Sequence, residues 1–188
     1  MSAAGAEKDK LSAIGYSEYQ IKEQRRMMDL LVRLEGSGVS TWIRNSSSLF
    51  AYPFILFLHT IGMGLIFGIT TAVNLRILGF APRISLGSMQ RFLSIMWIGF
   101  WLNAASGIAL VVAQPTTKIM NPALWVKLAL AALAVVITYL IKSKVFRDPF
   151  LDKRPVPING RLLAVASILL WAGAITAGRL MAYIDARF

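Results

Sequence analysis

The run Tyr52–Gly79, YPFILFLHTIGMGLIFGITTAVNLRILG, restricts what this chain can fold into more than any other part of it. At ~1.5 Å per residue it is apolar for longer than the ~30 Å hydrocarbon core of a bilayer is thick. It also carries the single histidine of the protein, His59, and the glycines Gly62, Gly64 and Gly68, and it closes on Asn74 and Arg76. A plain lipid anchor has no use for an imidazole among its leucines, so the first functional question is what His59 does.

Composition agrees with a membrane setting. The chain is 56% hydrophobic with a mean hydropathy of +0.61, well above what a globular domain shows. The net charge is +11, and its layout says more than its size. The acids are Glu7, Asp9, Glu18, Glu23, Asp29, Glu35, Asp148, Asp152 and Asp185; none lies between Glu35 and Asp148, where nine lysines and arginines stand. Those cations punctuate hydrophobic runs instead of clustering on a polar face, which is a topology pattern and argues against nucleic-acid binding. The absence of cysteine excludes disulfides, thiolate metal sites and iron–sulfur clusters. No apolar stretch occurs within the first 15 residues, so no cleavable signal peptide is expected.

The expected fold is all-α: an integral-membrane, up-down four-helix bundle preceded by an amphipathic interfacial helix. Residues 1–49 form the polar tail and interfacial region, and residues 50–188 the bundle. Residues 1–16 read as a tail. A helix follows from Ser17, where Ser17 and Gln20 make a capping-box pattern, Glu18/Lys22 and Asp29/Arg33 are i,i+4 pairs, and Gly36 is a stop. Its apolar residues Ile21, Met28, Leu31 and Leu34 suit a membrane surface or a partner, or equally its own protein. Val39–Arg44 reads as a second short interfacial piece. The spans are expected at about 50–77, 91–113, 122–141 and 160–184, with Asn121 capping the third and Pro122 in its first position. Short connections make neighbouring spans antiparallel.

Basic residues set the orientation. Arg76, Arg83 and Arg91 flank the first connection, and Lys142, Lys144, Arg147, Lys153, Arg154 and Arg161 the third. Close to the membrane the opposite side has Lys118, Arg187, Arg33 and Arg44, with Lys8, Lys10, Lys22, Arg25 and Arg26 farther out, and nine against four puts the first and third connections in the cytoplasm and the termini outside.

Two further cations sit in apolar runs: Lys127, early in the third span, and Arg179, late in the fourth. By span direction His59, Lys127 and Arg179 share one leaflet, with His59 deepest at ~10–13 Å from its helix start. Lys127 shares a face with Ala131, Ala134 and Thr138, and Arg179 with Ala172 and Thr176. Small residues mark close approach on a transmembrane helix, so both cations are expected to face inward. His59 lines up with Gly62, Met63, Ile66 and Thr70, and a second stripe, Thr60, Gly64, Gly68 and Thr71, gives that helix another close-contact surface. Inward cations with no intramembrane acid favour an anionic ligand. A b-type haem fits the inventory: His59 as the metal ligand, Gly62 clearing the macrocycle, and Lys127 and Arg179 meeting the propionates. Met63, Met96, water or a partner's residue would complete the coordination. A chlorophyll-type pigment asks for a similar site. The other reading needs no cofactor. His59 then bonds across to Asn103 or Ser106 on the second span, and the cations snorkel to headgroups. The indoles of Trp97, Trp101, Trp125 and Trp171 are packing or belt residues.

The runs YPFILFLHTIGMGLIFGITTAVNLRILG, WIGFWLNAASGIAL, NPALWVKLALAAL and ILLWAGAITAGRLMAY resemble an uncharacterised family of small bacterial four-span membrane proteins. That family shows a tyrosine–proline entry, a histidine–x–x–glycine step, a leucine–arginine–x–leucine–glycine exit, an asparagine–proline before span three and a late glycine–arginine. The resemblance covers about Trp42 to Tyr183. More distantly the chain is similar to copper-resistance D-type proteins and to HemJ-type protoporphyrinogen oxidases. The latter similarity rests on His59, Trp125 and Lys127, and implies haem b binding and oxidase activity at those positions. Tyr139 departs from that pattern, standing where a second histidine would often follow span three. The resemblance implies a bacterial inner membrane. The leading expectation is one b-type haem on His59 in an electron-transfer or quinone-linked component. The alternatives are a cofactor-free accessory subunit assembling with other membrane proteins, and a porphyrinogen oxidase.

Overall fold

The computed structural model of the chain describes residues 3–46, 48–147, 152 and 155–185, and for residues 3–17, 182, 184 and 185 it describes the backbone alone. The described residues are all-α. The order is α1 (Ala3–Glu35), α2 (Gly38–Asn45), α3 (Tyr52–Leu78), α4 (Leu86–Ala113), α5 (Pro115–Met120), α6 (Pro122–Lys144) and α7 (Ile158–Asp185). Four of these, α3, α4, α6 and α7, are long and apolar enough to cross a bilayer. The chain is a multi-pass membrane protein.

Local chemistry explains most of the boundaries. Pro53 occupies the first turn of α3, where its missing N–H costs nothing. At the other end Gly79 adopts φ 106°, and the Gly79 and Phe80 amides donate to the Arg76 and Leu75 carbonyls at 3.1 and 3.0 Å, a Schellman closure. The Asn121 side chain accepts from the Ala123 amide at 2.9 Å and starts α6 with Pro122. Helix α1 stops before Gly36, as its sequence requires, but begins at Ala3 and not at Ser17, so residues 3–16 of the expected tail are helical. Helix α4 begins at Leu86, five residues ahead of the expected span. The Ser85 hydroxyl accepts from the Ser88 amide at 3.1 Å. Asp152, in the α6–α7 connection, accepts from the Leu86 and Gly87 amides at 2.7 and 3.2 Å. The same carboxylate lies 3.9 Å from Arg76, whose guanidinium also donates to the Pro82 and Ile84 carbonyls. Helix α5 has no counterpart in the sequence reading.

In the bundle α3 packs along α4, α6 along α7, and α3 also against α7. One core layer, near the Asp152 end, joins Val73, Ile77, Leu86, Leu93, Ile141, Val145, Phe146 and Ala164. A second, nearer the middle, joins Ile66, Met96, Ala134 and Trp171. Helix α2 is tied to the far end of α4, where the Ser40 hydroxyl donates to the Ala113 carbonyl at 3.0 Å. Among the α1 residues whose side chains are described, only Leu31 is buried; residues 18–30 are exposed throughout.

Candidate functional site

Beyond the second core layer, at the end carrying α2 and α5, the four spans converge on His59. The heptad-like spacing of α3 puts His59, Gly62, Ile66, Thr70 and Val73 on its buried face. His59 is 8% exposed. Its Nδ1 lies 3.1 Å from the Asn103 carbonyl and 3.2 Å from the Ser106 hydroxyl. A carbonyl can only accept, so the ring proton belongs on Nδ1 and the lone pair on Nε2. The Ser106 hydroxyl donates within its own helix, to the Leu102 carbonyl at 2.7 Å, and is left to accept from the ring. The Asn103 amide answers by donating to the His59 carbonyl at 2.8 Å. His59 thus makes three contacts with Asn103 and Ser106 across the α3–α4 interface.

The remaining nitrogen meets α6. Lys127 Nζ lies 3.3 Å from His59 Nε2, a donor facing the only free acceptor of the ring. Two glycines make this approach possible. A Cβ on Gly107 of α4 would stand 3.2 Å from His59 Cε1, and one on Gly178 of α7 would stand 3.4 Å from Lys127 Cδ. The imidazole therefore lies against one glycine and the lysine stem against the other, and all four spans contribute to a single polar knot. In a lipid-surrounded bundle such a knot is the alternative to leaving these groups unsatisfied in hydrocarbon.

The expected site residues separate into those the knot gathers and those it does not. His59 and Lys127 are in it. Gly62 is beside it, but the space its missing side chain leaves is taken by α4: a Cβ there would meet the Asn103 amide nitrogen and the Gly99 carbonyl oxygen, each at 2.8 Å. Met63 is half-buried, and Met96 packs in the layer of Ile66, two turns along α3 from the imidazole. Arg179 corrects an expectation, because it is exposed. The inward row of α7 is Ala164, Ser167, Trp171, Ala174 and Ala177, and Arg179, two residues past Ala177, is turned ~200° away from it at ~100° per residue. Thr176, used to orient Arg179, is itself exposed and bonds back to the Ala172 carbonyl at 2.9 Å. Trp125 is exposed, and its indole donates to the Ile119 carbonyl at 3.0 Å, away from the knot. Sequence reasoning passed over Gly107 and Gly178. The second was visible as the glycine of the late glycine–arginine pair, overshadowed by its charged neighbour.

A haem on His59 must be tested against this geometry. Axial ligation needs the Nε2 lone pair, which Lys127 engages, and a clear face for the macrocycle, which Gly62 does not give. Lys127 and Arg179 are not arranged as a pair for two propionates, one facing in and the other out. The side chains as placed do not fit the group. Among the described residues no cluster of three or more His, Asp or Glu side chains could hold a metal ion. Comparison with protein-family models, curated proteins and solved structures finds no match.

Proposed function

We propose that this chain is a cofactor-independent accessory subunit of a larger membrane assembly, with the His59 knot locking its own four helices. The observation that carries this reading is the outer row of α3. Thr60, Gly64, Gly68 and Ala72 recur at every fourth position and all are exposed. A Cβ on Gly64 or Gly68 would meet nothing within 4 Å. Glycine costs roughly 1 kcal/mol of helix propensity relative to alanine, and Gly62 on the opposite face offsets that cost by close packing. Two glycines in register on the lipid face have no such return within the chain; a partner's span packing into the row supplies one. Exposed apolar side chains along α1, such as Ile21, Met28 and Leu34, are a second surface for the same assembly. From the family resemblance we assign the protein to a bacterial inner membrane, and from its flanking cations we assign the termini to the outside.

The test is extraction of native membranes in a mild detergent followed by native mass spectrometry. The chain is expected in a complex with another integral membrane protein, and Gly64→Leu with Gly68→Leu is expected to release it without lowering the melting temperature of the isolated chain, since neither side chain meets a neighbour within it. Recovery of the wild-type chain as a monomer overturns the reading.

The rival reading, a b-type haem on His59 serving electron or quinone chemistry, keeps one observation in its favour. Nε2 faces a flexible lysine and no carbonyl, so a turn of the Lys127 stem frees it. Oxidised and reduced spectra after haem-replete expression decide this. A Soret band lost in His59→Ala establishes the haem and refutes the cofactor-independent proposal, whereas a colourless wild type removes the rival.

A further inference from the structure

At the opposite end of the bundle, α4 and α6 leave a recess of about 330 Å³ between them, lined by Gln90, Arg91, Ser94 and Trp97 of α4 and by Lys142 of α6. We infer that this recess binds the phosphate headgroup of an anionic glycerophospholipid. Charge is the first ground. Arg91 and Lys142 reach the same space from different helices, and both are exposed. Among the described residues the ion pairs are Arg44 with Glu35 and Arg76 with Asp152, so neither cation of the recess has a carboxylate partner there. Asp152, which meets the lining residue Gly87, is engaged by two α4 amides and by Arg76.

Depth is the second ground. Lys142 is two residues from the end of α6 and Arg91 five from the start of α4, within ~3 and ~8 Å of the helix ends, where headgroups lie. Ser94 and Gln90 add hydrogen-bonding groups beside them. Trp97, another turn and a half deeper, is half-buried and stacks edge-on to Phe100 at 5.3 Å, leaving indole surface where an acyl chain would run. Cations above, hydroxyl and amide between and an aromatic wall below reproduce the polarity profile of a phospholipid from phosphate to chain. A free phosphate would use only the upper part. Basic recesses between spans are a recognised setting for anionic lipids, and each nearby cation contributes about fivefold in affinity.

The experiment uses the full chain, delipidated in detergent and titrated with phosphatidylglycerol or phosphatidylcholine under native mass spectrometry. Phosphatidylglycerol should bind in preference. Arg91→Gln and Lys142→Gln should each weaken it about fivefold and together about 25-fold, and Arg91→Lys should retain it. Lys144→Gln, an exposed lysine outside the recess, should leave binding unchanged. Equal uptake of the two lipids, an unaffected double variant, or an equal loss in Lys144→Gln would each overturn the site. Complete displacement of the lipid by millimolar inorganic phosphate would assign the recess to soluble phosphate and overturn the lipid.

Discussion

Gly62 and Gly64 stand two residues apart on one helix and have opposite surroundings, which allows a sharp test of how α3 and α4 are held. Replacing Gly62 by Ala adds a Cβ that would sit 2.8 Å from two α4 backbone atoms and 2.9 Å from the Asn103 Cβ. Ordinary contacts begin near 3.4 Å, so α4 must retreat by about 0.6 Å. Neither backbone atom can move alone, and the retreat pulls directly on the His59–Asn103 exchange one turn away. Overpacking of this kind costs about 1–3 kcal/mol, offset by up to ~1 kcal/mol of helix propensity. Gly64→Ala meets no neighbour and gains the propensity alone. The two variants should therefore differ by about 1–3 kcal/mol, Gly62→Ala being the less stable. Unfolding of the purified chain in mixed detergent micelles, followed by circular dichroism, reads the difference. If Gly62→Ala is as stable as Gly64→Ala, the α3–α4 approach described here is wrong.

Other changes probe the knot and the connection at the opposite end. Asn103→Leu removes the 2.8 Å bond to the His59 carbonyl while leaving the Asn103 carbonyl in place. A loss of about 0.6–1.7 kcal/mol is expected in the same micelle assay, and no loss would mean the exchange is not formed. Asp152→Ala strips the cap from the Leu86 and Gly87 amides and should cost about 1 kcal/mol. Asp152→Asn keeps one of the two acceptor oxygens and loses the other together with the charge; the charge part of its cost, about 0.3–1 kcal/mol, should shrink as salt is raised. A salt-independent loss in Asp152→Asn would contradict an electrostatic origin.

Length and hydropathy made the four spans legible because a hydrocarbon core demands both, and Asn121–Pro122 and Gly79 carry their end signals in their own side chains or lack of one. The start of α4 was not legible: its capping carboxylate, Asp152, is 66 residues away in sequence, and no local pattern reports such a partner. The His59 contact with Asn103 and Ser106 was readable as one of two possibilities, since a buried imidazole has few polar groups to choose from in these spans. The meeting of Lys127 with that same ring needed the rotation of α6 about its axis. The inward expectation for Arg179 rests on small residues pointing inward. On α7 small residues occur on more than one face, and bulky Trp171 marks the inner one.

The Asp152 clasp also bears on the order in which the protein is made. Spans enter the membrane from the N-terminus, so the α3–α4 hairpin exists before the α6–α7 connection has been synthesised. Until then the first amides of α4 have water as their partner and Arg76 lacks its carboxylate. Arrival of residue 152 fastens the earliest hairpin to the latest connection, and with it sets the spacing of α4 from α6. The clasp thus closes late: the mouth of the α4–α6 recess takes its final form only once the α6–α7 connection has been made.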